Sequence, residues 1–135
     1  MILVDTNILF DIATLDPHWA EWSFGELQDA RMIGRLLIND VIYAELAARY
    51  NHIRDLENFI ETVGVEMEAI PREALFLAGK VFTRYRKAGG TRTGVLSDFF
   101  IGAHAAVLNL SLLTRDEGRY RTYFPTVTLI TPSLS

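Results

Sequence analysis

The sequence predicts an α/β fold, a three-layer sandwich around a mostly parallel central sheet of about five strands. Two observations predict it. Short apolar runs without alternation, Ile2-Leu3-Val4, Leu36-Leu37-Ile38 and Ser111-Leu112-Leu113-Thr114, suit strands buried on both faces. Between them lie stretches with helical spacing of apolar residues, too long for hairpins, so the strands are joined by crossovers.

Each element follows in order. Ile2-Leu3-Val4 is the first strand and ends sharply at Asp5, after which Thr6 or Asn7 can cap a short helix. Asp16-Pro17 marks a turn and the approach to the next helix. That helix runs from Trp19 through Arg35, with Trp22, Leu27, Ala30 and Ile33 as inner positions. After the strand Leu36–Ile38, Asn39 is a good N-cap for a helix over 40–50, which carries Glu45. Residues 53–63 form an amphipathic helix stopped by Gly64, and the alternation over 65–70 suggests a strand nearer the sheet edge. Pro71 opens a long helix that ends before Gly89-Gly90. Ser97 is the expected N-cap of a helix to Leu108, with Asp98 in its first turn. Strand 111–114 ends at Arg115-Asp116, and a short helical or turn segment leads to a last strand over 127–131.

A chain of 135 residues is long enough to bury one substantial core, so a single domain over 1–135 is expected. It has no cysteine, which excludes disulfides and thiolate metal sites and agrees with a cytoplasmic location. MILVDTNILF has no basic region ahead of its apolar run, so it does not read as a signal peptide. No apolar stretch approaches the roughly 18 residues of a membrane span. The formal charge is −4, yet Arg72, Lys80, Arg84, Arg86, Lys87 and Arg92 against Glu73 give the stretch 72–94 a charge of +5, leaving −9 elsewhere. Since screening limits surface charges to about 10 Å, such a segment can still meet phosphates.

The acids carry the chemistry. Ligands of open parallel sheets bind beyond the carboxyl ends of the strands. Asp5 and Asp116 stand directly after strands on that side, and Asp98 faces it if its helix follows a loop there. Glu45 lies among Ala44, Leu46, Ala47 and Ala48, where a charge needs a partner or an ion. Taken singly, each Asp is equally a helix cap or a first-turn acid, and Glu45 a solvated helix residue. Taken together they are costly, because two carboxylates about 4 Å apart repel by roughly 4 kcal/mol at an effective dielectric of about 20. A cation relieves this, and an all-oxygen site selects a hard ion, Mg²⁺ or Mn²⁺. Such an ion suits phosphodiester hydrolysis. Asn7 and Thr114, each within two residues of an acid, are candidate donors that orient the carboxylates.

Val4-Asp5-Thr6-Asn7, the isolated Glu45, Ser97-Asp98-Phe99-Phe100-Ile101-Gly102-Ala103-His104-Ala105 and Leu113-Thr114-Arg115-Asp116 together resemble PIN-domain nucleases, in particular the VapC toxins of toxin–antitoxin pairs. The resemblance spans essentially the whole chain and includes the tail over 118–125. It implies cleavage of cellular RNA, often tRNA or rRNA, by a homodimer, and a cognate antitoxin whose C-terminal segment covers the acidic site. It also implies that Asp5 and Asp98 ligate the metal directly, with Glu45 and Asp116 completing the cluster and Thr114 supporting it. Glu117 stands where some relatives offer a further Asp or Asn.

Other features are weaker. His18, His52 and His104 lack metal-ligand spacing, and His104 in its apolar helix reads as a packed core histidine. Trp19 and Trp22 read as core or dimer packing before antitoxin contact. Arg86, Lys87 and Arg92 lead into the loop before Asp98 and are candidate RNA-phosphate contacts, or else a solvated face. The competing function is a catalytically silent PIN-like interaction module, against which the complete acid set argues. A haloacid dehalogenase-type phosphatase would need a second acid two residues after Asp5, where Asn7 stands. A receiver domain would need a lysine after a late strand, and none is there.

Overall fold

A computed structural model describes residues 1–132. In chain order the elements are β1 (Ile2–Val4), α1 (Thr6–Thr14), α2 (Ala20–Ile33), β2 (Leu36–Ile38), α3 (Asp40–Ala47), α4 (Ile53–Val63), β3 (Glu66–Met67), α5 (Arg72–Lys87), α6 (Val95–Leu108), β4 (Ser111–Leu113), α7 (Glu117–Tyr123) and β5 (Leu129–Ile130). The five strands form one sheet in the order β3-β2-β1-β4-β5. Every pairing is parallel, so the expected mostly parallel sheet is parallel throughout.

The register sets Ile2 beside both Leu36 and Ser111, and Leu112 beside Leu129. All residues of β1 and β2 are buried, as their unalternating apolar sequence requires. The crossovers from β1 to β2 to β3 step one way across the sheet, and those from β3 to β4 to β5 step the other way. Right-handed crossovers of opposite step lie on opposite faces, giving the three layers. Accordingly α1 packs on α2 and α3, and α3 on α4, while α6 packs on α5 and α7. The strand order reverses between β1 and β4, and ligands of open parallel sheets bind at such switch points.

Two helices show how sequence becomes packing. In α5 the residues Ala74, Ala78, Val81 and Tyr85 follow helical spacing and are buried, while Arg84, Arg86 and Lys87 face solvent in its last turn. In α6 the run Ile101–Ala105 is buried entirely, so this helix is enclosed on most sides. Gly102 lets the Phe124 ring lie against the α6 backbone, where any side chain would collide with it.

Several boundaries differ from expectation. Asp5, not Thr6 or Asn7, caps α1, accepting from the Thr6 backbone N–H. Helix α6 begins at Val95 with Gly94 at its cap, which moves Ser97 inside the first turn and frees its hydroxyl for other work. Ile33 is 79% exposed, because α2 ends there and its inner face is Ser23, Leu27 and Ala30. The two edge strands are shorter than their sequence patterns, since each has a neighbour on one side only.

Candidate active site

The Asp5 backbone N–H donates to Leu113 O, which fixes Asp5 at the end of β1 directly beside the end of β4. Its carboxylate is buried and accepts four hydrogen bonds. Oδ1 accepts from the Thr6 backbone N–H at 2.7 Å. Oδ2 accepts from the Thr114 hydroxyl at 2.7 Å, the Tyr120 hydroxyl at 3.1 Å and the Asn7 amide at 3.4 Å. Burial pushes its pKa up to about 6; the bonds from Thr114, Thr6 and Tyr120 oppose the rise, and the negative charge of Glu45 adds to it.

Thr114, just past β4, donates to Asp5 and accepts from the Asp116 backbone N–H at 3.0 Å and the Asn7 amide at 3.3 Å. Asn7 also accepts from the Arg115 backbone N–H at 3.2 Å. The two side chains expected to orient carboxylates therefore stand against Asp5 and tie the β1 end to the β4 end.

Glu45 projects from α3 toward the same edge. Its Oε1 accepts from the Thr6 hydroxyl at 2.6 Å and its Oε2 from the Ser97 hydroxyl at 3.3 Å. Thr6 thus serves two acids at once, Asp5 through its backbone and Glu45 through its side chain. Asp98, in the first turn of α6, and Asp116, at the start of α7, share the Arg119 guanidinium.

The four acids accordingly meet as two pairs. Asp5 and Glu45 are joined by neutral donors, Asp98 and Asp116 by a cation. The Tyr120 hydroxyl donates to Asp5, and burial first, then Asp5, Asp116 and Glu45, push its pKa well up. As they stand, no three acidic or histidine side chains among the described residues are grouped closely enough to hold an ion. The donor set nonetheless fits a hard divalent cation, being all oxygen and negative, with a guanidinium already standing in as cation between Asp98 and Asp116.

Sequence reasoning missed several of these residues. The i, i+3 spacing of Asp116 and Arg119 could have signalled their pairing, but the reach of Arg119 to Asp98 could not be read. Ser97 and Tyr120 offered no local signal. Asp11 was also missed: it is buried in α1, binds Arg115 through both oxygens at 2.7 and 3.0 Å, and accepts from the Ser23 hydroxyl at 2.7 Å. Arg115 also stacks over Trp19, 4.8 Å from its ring centroid. This network pins α1, α2 and the segment after β4 together. Trp19 and Trp22, edge to face at 5.9 Å, belong to that packing.

The basic residues surround the approach to α6. Arg86 and Lys87 are exposed at the end of α5, and Arg92 is exposed in the following loop. That loop folds back on Tyr85: the Arg92 backbone N–H donates to its hydroxyl at 3.0 Å, and Gly90 lies on its ring. Tyr85 in turn packs edge-on against Phe99, the residue after Asp98. His104 is fully buried, and burial lowers its pKa. Because the Ile42 N–H occupies Asn39 Oδ1, the Asn39 amide nitrogen faces and donates to His104 Nδ1 at 3.0 Å. The Nε2 atom has no partner among the described residues. His104 is a core residue, away from the acids' hydrogen bonds.

Known proteins share this architecture. The chain resembles VapBC2 from Rickettsia felis, solved bound to a DNA fragment from its promoter, with a TM-score of 0.71, 18% identity and coverage of 97% of this chain and 98% of that one. It resembles VapBC-1 from nontypeable Haemophilus influenzae with a TM-score of 0.69 and 22% identity over 97% and 98% of the chains. It also resembles a toxin–antitoxin complex from Klebsiella pneumoniae with a TM-score of 0.67 and 18% identity over 98% of each chain. At these identities the likeness is one of fold. No curated protein sequence matches the chain. The family model of the PIN domain matches residues 2–125, nearly the whole sequence, and the motifs around Asp5, Glu45, Asp98 and Asp116 fall within that span. The chain therefore belongs to the PIN domain family.

Proposed function

We propose that this protein is a metal-dependent endoribonuclease, the toxin of a toxin–antitoxin pair, acting through Asp5, Glu45, Asp98 and Asp116. The observation that carries the reading is the placement of these acids, as two pairs, near the ends of β1 and β4 in a PIN-domain sheet. Gathered carboxylates oppose folding unless a cation joins them, and Arg119 joins only Asp98 and Asp116.

Asp5 and Asp98 would hold Mg²⁺ or Mn²⁺, with Glu45 and Asp116 completing the set. When bound, such an ion neutralises charge on the phosphodiester and acidifies water beside it. The chain's own residues supply order. Thr114, Tyr120 and Asn7 fix the Asp5 carboxylate, and Thr6 and Ser97 fix Glu45, so neither acid needs to reorganise when an ion arrives. Arg86, Lys87 and Arg92 are assigned to phosphates of the RNA flanking the cut. The similarity to VapBC and toxin–antitoxin complexes supports an antitoxin partner, and a homodimer is proposed from the resemblance to VapC toxins.

The test is incubation of total RNA with the protein, with and without Mn²⁺, followed by mapping of new 5′ ends. New ends at defined positions are expected with the wild type and Mn²⁺, and none with Asp98→Asn or Asp5→Asn. Cleavage retained by both variants would contradict the assignment, and no cleavage by any of them would favour a silent interaction module.

A further inference from the structure

We propose that Arg119 is an internal counter-ion, which a divalent metal must displace from Asp98 and Asp116 before the site is complete. The inference rests on reading the four acids as a metal site, and it assigns Arg119 control over when that site fills.

The two halves of the site are built differently. Among the described residues, Asp5 and Glu45 are held by neutral donors only, the Thr6, Ser97, Thr114 and Tyr120 hydroxyls, the Asn7 amide and one backbone N–H. That half carries uncompensated negative charge and attracts a cation. Asp98 and Asp116 instead share Arg119, whose Nη1 contacts Oδ2 of both. A cation at those oxygens must compete with the guanidinium for them. The acids stand in pairs, and no three lie within ligating range among the described residues.

Displacement is feasible. Arg119 and Asp98 side chains are each 21% exposed and Asp116 is 41% exposed, so an ion reaches them from solvent. Arg119 carries one charge, whereas a divalent ion carries two and can take oxygens from both halves together. Arg119 therefore sets a threshold of free metal, below which the site stays split and only partly neutralised. Above it, the acids close on the ion.

Arg119 is a positioning residue, and metal affinity measures its role without any substrate. Calorimetric titration of Mn²⁺ into the metal-free chain compares wild type with Arg119→Gln, Arg119→Lys, Arg121→Gln and Asp98→Asn. Arg119→Gln is expected to bind Mn²⁺ roughly three- to fivefold more tightly, the upper scale of a partly exposed ion pair. Arg119→Lys, with a charge on a different head group, falls between. Arg121→Gln removes a charge two residues away and stays within about twofold of wild type, which separates a local contact from a general change in field. Thermal melting of the metal-free proteins adds a second readout: Arg119→Gln melts below wild type, and Mn²⁺ closes the gap. Unchanged or weaker binding in Arg119→Gln, or equal tightening in Arg121→Gln, overturns the inference alone. Mn²⁺ binding that survives unchanged in Asp98→Asn removes the metal-site reading, and the inference with it.

Discussion

Asp5 shows at the residue scale how one side chain serves both fold and site. It caps α1 and bridges the ends of β1 and β4, yet its ionised form is disfavoured by burial. The consequence for stability has a definite sign. The folded chain holds the Asp5 proton up to about pH 6, while the unfolded chain releases it at the usual 3.8. The unfolded state therefore binds fewer protons between these values, and stability falls as pH rises through them, by at most about 3 kcal/mol. In metal-free protein, the stability of Asp5→Asn relative to wild type should accordingly rise between about pH 4 and about pH 6 in urea titrations. Mn²⁺ should reverse the order at neutral pH, because a bound ion favours the carboxylate. A pH-independent gap would show that Asp5 ionises as it does in the unfolded chain. The sequence made Asp5 and Asp98 legible, one after a strand and one in a first helical turn. It left the contacts of Thr6, Ser97, Tyr120 and Arg119 with the acids unread, because they span 21 to 115 residues.

At the scale of the element, α6 positions Asp98 and holds the core together. Phe99 is fully buried among the rings of Phe82, Tyr85, Tyr123 and Phe124, so the helix start cannot shift without disturbing α5 and α7. Gly102 and Gly79 offer a matched comparison, since both sit inside helices. Gly102→Ala should destabilise the chain by about 1–3 kcal/mol, because the new methyl meets the Phe124 ring. Gly79→Ala meets open space and should stabilise by about 0.5–1 kcal/mol through helix propensity. Equal effects of the two changes in denaturant melts would contradict the packing described for α6. Strand cores and long helices were legible because apolar spacing reports burial directly. The start of α6 was not, because Ser97 in the sequence resembles a cap but is used as a donor to Glu45, a contact set by α3. Edge strands were overestimated because alternation cannot tell how many residues find a partner.

For the whole molecule, topology matters more than net charge. The sheet order places the ends of β1 and β4 side by side, which brings residues from the first and last quarters of the chain into one site. The parallel sheet was legible from its buried runs, whereas the strand order was not, since register and crossover direction leave no mark in local composition. A chain of formal charge −4 would ordinarily avoid RNA, but its positive segment lies at the end of α5 and in the loop before Asp98. Neutralising Arg86, Lys87 and Arg92 should weaken RNA binding and reduce its salt slope by about 2, as loss of three phosphate contacts on a single strand implies. An unchanged slope would return these residues to the solvated surface. The most direct test of the central claim is the location of a divalent ion itself. Crystals soaked in Mn²⁺ should give an anomalous peak in contact with the Asp5 and Asp98 carboxylates, with Arg119 withdrawn from Asp98. A peak away from these carboxylates, or none at saturating Mn²⁺, would contradict the account.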